Sequence, residues 1–235
     1  MSAPLPPSAL ARIEAAGPMF TSGLSVDELA VLHDEGLHPL GLVMGTAMHH
    51  IGFQPQRWNQ SVELGMLTGA LQTARMLAFS RLEAEAVALN ADGVVNVGLE
   101  TVEHEGAGDV LEFVATGTAV RSATRGEAVF TTALSGHELG TLKHIGYAPA
   151  SVVIGVCVYH VAHQTMRQAL APNVELPQYT QAFFDGRELA LTRMQAAASD
   201  RGAAGVVGVE VNTSSQVWRH HAIEFLAMGS AVRSI

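Results

Sequence analysis

The chain has 235 residues, of which 48% are hydrophobic and 15% charged; this is the balance of a packed protein with much buried surface, not of a disordered one. With 13 Lys and Arg against 22 Asp and Glu the formal charge is -9, so the cationic attraction that governs binding to nucleic-acid phosphates is missing and no nucleic-acid partner is expected. The single cysteine, Cys157, excludes an intramolecular disulfide.

Residues 1–19 are rich in Ala and Pro and lack the basic start and long apolar stretch of a secretory signal. They predict a flexible tail, free to meet a protein partner whose nature the sequence does not give. Ser25-Val26-Asp27-Glu28 has capping-box spacing, so a short helix should follow with Leu29 and Leu32 inward, ending near Gly36. Leu40 to Ile51 is apolar and short, which predicts a strand. From about Val62 to Asn90 the period changes: Leu64, Leu67, Leu71, Ala74, Ala78 and Leu82 recur at helical spacing and mark the one long helix. Ala91-Asp92-Gly93 ends it, and Val94 to Leu99 opens a strand that turns through Gly106-Ala107-Gly108 into a return strand, Leu111 to Val120.

The series then recurs. A slide of 110 positions places Phe20-Thr21 on Phe130-Thr131, Glu28-Leu29 on Glu138-Leu139, Gly45 on Gly155 and His50 on His160. A slide of 112 places Val62-Glu63-Leu64 on Val174-Glu175-Leu176, Arg75 on Arg187, Arg81 on Arg193 and Glu112-Phe113 on Glu224-Phe225. The two-residue difference falls near Gln54-Pro55-Gln56-Arg57, which reads as a loop, where length changes belong. The expected organisation is a tail at 1–19, a first repeat at 20–122, a linker at 123–129 and a second repeat at 130–235. Each repeat is of the α+β class, with a short N-terminal helix and then one long helix on a three-stranded antiparallel sheet. One helix covers only one side of such a sheet, so the other face needs a partner.

Ala74-Arg75-Met76-Leu77-Ala78-Phe79, then Ala88-Leu89-Asn90-Ala91-Asp92-Gly93-Val94-Val95 and the closing Gly117-Thr118-Ala119-Val120, resemble the YbjQ family of domains, which carries the label "putative heavy-metal-binding". The second copy has the weaker Arg201-Gly202-Ala203-Ala204-Gly205-Val206-Val207-Gly208 and Gly229-Ser230-Ala231-Val232. The resemblance implies a dodecin-like β-α-β-β fold, assembly into homo-oligomeric rings that are pentameric in single-domain relatives, and a divalent transition metal as the cofactor to look for. Asn90 and Asn96 stand where that family usually has Gly, and a single thiol does not make a thiolate-rich metal site.

Histidine is the metal-ligating type to weigh, with 11 in the chain: His49-His50, His160 with His163, His220-His221, and His104 near a turn. A site needs three or four converging ligands. Along one strand, adjacent residues and residues three apart point to opposite faces, so a site would have to form between strands, repeats or subunits. His50 and His160, at matching repeat positions, are the leading ligand candidates, joined by His49 and His163; ordinary surface or interface histidines are the plainer reading. Arg75, Arg187, Arg81 and Arg193 suit an anionic ligand or a carboxylate across an interface, and a structural pairing with Glu112 and Glu224 is the favoured expectation. Cys157, inside an apolar run, reads as a small buried hydrophobe.

The longest apolar run, about ten residues at Val152 to Val161, falls short of the roughly 20 that span a bilayer as a helix, so the expectation is a soluble, cytoplasmic protein without membrane insertion. No phosphate loop, zinc-finger spacing, dinucleotide glycine pattern or serine elbow is present. The leading expectation is a non-enzymatic, ring-forming protein binding a metal ion or small anion at its junctions. The alternatives are a purely structural assembly protein and a dodecin-type module that stores or senses a flat small molecule; the aromatic content of 6% argues against flavin stacking, although Trp58 and Trp218 are available.

Overall fold

The computed structural model describes residues 5–17, 19–52, 60–104, 110–122, 129–162, 174–215 and 222–235. The loop at Gln54–Arg57, the turn at Gly106–Gly108, most of the expected linker, Trp58, Trp218, His163 and His220-His221 lie outside the described residues.

In chain order the elements are α1 (Pro7–Ala16), α2 (Val26–Asp34), β1 (Leu37–His50), β2 (Val62–Glu63), α3 (Gly65–Ala88), β3 (Gly93–Glu103), β4 (Val110–Ser122), β5 (Phe130–Thr131), α4 (Gly136–His144), β6 (Tyr147–His160), α5 (Pro177–Ser199), β7 (Gly205–Ser215) and β8 (Ala222–Ser234). The expected repeat is there: short helix, strand, long helix and hairpin, twice. Both short helices open on full capping boxes, Ser25 with Glu28 and Ser135 with Glu138, which satisfy two otherwise orphaned amides each.

Two findings depart from expectation. The segment read as a flexible tail carries α1. Its first turn tolerates Pro7 because that amide has no intrahelical partner anyway, and Arg12 anchors it at the β1 edge, donating to the Leu42 carbonyl at 3.1 Å and to Glu85 at 2.5 Å. The sheets, expected to be three-stranded, are four-stranded, because the halves exchange short strands. The orders are β1-β4-β3-β5 and β2-β6-β8-β7. Thus β5 from the second half pairs in parallel with β3, and β2 from the first half pairs antiparallel with β6.

The layers follow from strand alternation. Val43 and Ala47 of β1 face α3, which also carries Val152, Ile154, Val156 and Val158 of β6 in the same buried cluster. The other face of the second sheet, with Val153, Cys157, Phe225 and Ala227, is covered by Ala190 and Met194 of α5. The order is therefore sheet, helix, sheet, helix, and α3 supplies the partner that the bare face of the second sheet requires. Close approach depends on Gly45 and Gly155: a Cβ there would lie 2.0 Å from the carbonyl oxygens of Ala78 and Ala190 respectively. Asn90 and Asn96 hold left-handed backbone (φ 54 and 51), as do their counterparts Gly202 and Gly208; Asn is one of the few residue types that accept this conformation.

Candidate functional site

The chemistry-bearing residues gather at the junction between the halves. Arg75 on α3 donates through Nη1 to Oε1 of Glu224 on β8 at 2.5 Å, through Nη2 to Thr101 at 3.3 Å, and sits 4.6 Å over the Phe113 ring. Both charges are nearly removed from water, with side chains 2% and 3% exposed. A second crossing pair links Glu63 on β2 to Arg193 on α5 at 2.8 Å, and Arg193 also donates to the Val156 carbonyl at 2.8 Å. Backbone bonds complete the seam: the Leu64 amide donates to the Val158 carbonyl at 2.8 Å, and the Val158 amide donates to the Thr68 hydroxyl at 2.9 Å.

The expected structural pairing of arginine with glutamate is therefore real for Arg75 and Glu224 but joins different halves. Its counterparts do not meet. Arg187 is exposed and lies against Phe183, while Glu112 accepts from His104 at 2.7 Å. Arg81 donates to the Thr46 carbonyl and borders a groove of about 710 Å³ between α1 and β1, with Arg12, Met44 and Glu85 on its walls. The strand face that α3 covers on β6 lies open on β1: Ile154 and Val158 are 2% and 0% exposed, whereas Met44 and Met48 are 42% and 60% exposed. Glu63, Glu175 and the exchanged strands were not singled out from the sequence, although the repeated Val-Glu-Leu triplets marked their place.

The histidine candidates do not converge. His160 is buried on β6 with Nδ1 3.0 Å from the Gln60 carbonyl, while His50 is exposed and His49 half-buried at the end of β1. Among the described residues no group of three or more His, Cys, Asp or Glu could hold a metal ion. Cys157 offers no soft ligand at neutral pH: burial, reinforced by the nearby Glu63 carboxylate, pushes its thiol up to about 12. Within the described part of one chain, the residues do not fit a resident metal.

Comparison with known proteins draws on both halves. The profile of the YbjQ family, described as "Putative heavy-metal-binding", matches residues 59–123 and again 128–234. The chain belongs to the YbjQ family. A relative from Mycobacterium tuberculosis named encapsulin nanocompartment protein is 44% identical over 243 aligned positions, covering 99% of this chain and 92% of that protein. A UPF0145 protein of Dehalococcoides mccartyi is 28% identical over 102 residues, 43% of this chain but 92% of the relative. One of Methanococcus maripaludis is 46% identical over 59 residues, 25% of this chain and 51% of the relative. The Dehalococcoides match equates less than half of this YbjQ chain with nearly a whole relative, as a tandem duplication requires. Among the described residues no helix is long and apolar enough to cross a membrane.

Proposed function

We propose that this YbjQ-family chain is a non-enzymatic assembly protein whose copies associate head to tail into a closed homo-oligomeric ring. The observation that carries this is the crossed pair: Arg75 has found Glu224 within the chain, while Arg187 and Glu112, the same two positions in the opposite halves, have not found each other. Arg187 on α5, held against Phe183, and Glu112 on β4, held by the half-exposed His104, lie on different elements, so they are complementary between copies and not self-complementary. Such a heterologous contact closes into a ring or runs into a filament. Five chains is the count that the likeness to single-domain rings suggests, and the name of the Mycobacterium tuberculosis relative supports a place with an encapsulin-type nanocompartment; a cytoplasmic location is compatible with that place.

Size-exclusion chromatography with light scattering tests the assembly. A discrete multiple of the 24.7 kDa chain is expected, and a monodisperse monomer at all concentrations would overturn it. Metal binding stands second, because its ligands would have to come from several copies or from outside the described residues; elemental analysis of untagged protein decides that point.

A further inference from the structure

The self-association proposed above leaves open which surfaces meet, and the internal duplication supplies a template. Within the chain, Phe130 and Thr131 of β5, from the second half, pair with Gly93 and Val94 of the first, and a Cβ on Gly93 would lie 2.2 Å from the Phe130 ring. The neighbouring Val129 and Ala133 pack against the buried cluster that holds Leu82, Ala86, Ala91, Val94 and Val97. At the matching place in the second half, Gly205 has nothing within 4 Å of its Cβ position. Beside it a cavity of about 350 Å³ opens, lined by Met194, Ala198, Ala203, Val206 and Val209, the counterparts of those five cluster residues.

The segment that would fill the cavity is already set for the task. The Thr21 hydroxyl accepts from the Leu42 amide at 3.0 Å as Thr131 accepts from Val152 at 2.9 Å. The Gly23 amide donates to Thr118 at 3.1 Å as Ala133 donates to Ser230 at 2.9 Å. Residues 20–24 thus sit on their own half as residues 130–134 sit on theirs, yet Met19 and Phe20 are 69% and 49% exposed. We propose that the cavity between α5 and β7 is the docking site for Met19, Phe20 and Thr21 of a second copy, which add a strand to the β7 edge, lay the Phe20 ring over Gly205 and place Met19 among the apolar side chains. The same approach brings Arg187 to the neighbour's Glu112, Glu175 to its Arg81, and Val174 and Glu175 alongside its His49 and His50, as in the seam within the chain.

One corner cannot repeat. Gly136 meets α2 so closely that a Cβ would lie 2.8 Å from the Glu28 carbonyl, whereas its counterpart, Val26, carries a full side chain and is exposed. The seam between copies therefore stands wider than the internal one at that helix pair.

Chains carrying either Phe20→Cys or Gly205→Cys beside the fully buried Cys157, mixed in equal amounts and oxidised, test the contact, because partners on adjacent strands lie within disulfide reach. The positive control is a chain carrying both Gly93→Cys and Phe130→Cys, whose register partners are fixed within the chain. Cross-linked pairs of chains in the mixture are expected. A control that closes while the mixture stays unlinked, in protein that assembles normally, overturns the docking site and leaves self-association standing; wild-type protein that never assembles removes both. Hydrogen exchange on the wild type removes dependence on the variants: amides of Val206 to Val209 should gain protection as concentration drives assembly, and protection that stays constant overturns the proposal. Phe20→Ala is expected to raise the concentration needed for assembly about tenfold or more, the usual effect of truncating a buried aromatic anchor.

Discussion

Arg75 and Glu224 stand 149 positions apart in the chain and 2.5 Å apart in space, and Glu112, which matches Glu224 in the half that carries Arg75, turns instead to His104. The pairing shows that the halves are interlocked, not merely adjacent. Its energetics are those of a buried ion pair, in which losing one partner is worse than losing both, because a lone charge is left without water.

Arg75→Ala should therefore destabilise the chain by about 3–5 kcal/mol. Arg187→Ala, at the same position of the exposed helix, should stay within about 0.5 kcal/mol in dilute solution. Urea denaturation of the two variants makes the comparison, and equal losses would count against the crossed pair.

Gly45 and Gly155 set how closely each helix lies on its first strand. Gly45→Ala and Gly155→Ala should each cost about 1–3 kcal/mol or more by forcing helix and sheet apart. Gly69, inside α3 with open space around its Cβ position, is the contrasting case: Gly69→Ala should add about 0.5–1 kcal/mol. Thermal melts of the three variants check both signs.

Cys157 is 0% exposed and its thiol is held at about 12 by burial and the Glu63 charge. Native protein at neutral pH should leave a thiol-disulfide reagent unreacted, and denatured protein should consume one equivalent per chain. Fast labelling of the native state would mean that the contact between α5 and β6 opens readily.

Acid should loosen the seam between the halves. Burial raises the Glu63 pKa, but hydrogen bonds from Arg193 and Thr68 and the Arg193 charge outweigh it, leaving the carboxyl below its ordinary 4.5. A carboxylate lowered in this way stabilises the fold fully above its unfolded value and loses that contribution as pH falls through the folded one. Glu28 behaves likewise, lowered first by the Ser25 backbone hydrogen bond and then by the Ser25 hydroxyl. Stability should thus fall below about pH 4.5, and Glu63→Gln should flatten that slope; an unchanged slope would assign the acid response to other groups.

Much of the fold was legible because both copies say the same thing. Capping boxes, helical spacing from Leu64 to Leu82 and strand-forming runs recur at matching offsets, so each element is read twice. The exchange of β2 and β5 was not legible: two-residue strands carry no periodicity, and nothing local distinguishes pairing with one's own half from pairing with the other. The site was legible in its residue types and illegible in its partners. Arg75 and Glu224 were both marked by repetition, but repetition suggests pairing within a copy, and only the packing of α3 against the second sheet turns the arginine across. The tail was misread because the Ala and Pro content of Pro7–Ala16 is compatible with a helix once Arg12 has Leu42 and Glu85 to hold.

Covalent linkage makes the two kinds of seam unequal. The internal one closes at the high local concentration that a short tether enforces, whatever the amount of protein present, whereas a contact between separate chains obeys mass action. Dilution should consequently release intact two-half units and never single halves, and mutations can accumulate on one side of the bargain, as at Val26 and Gly136, without disturbing the other.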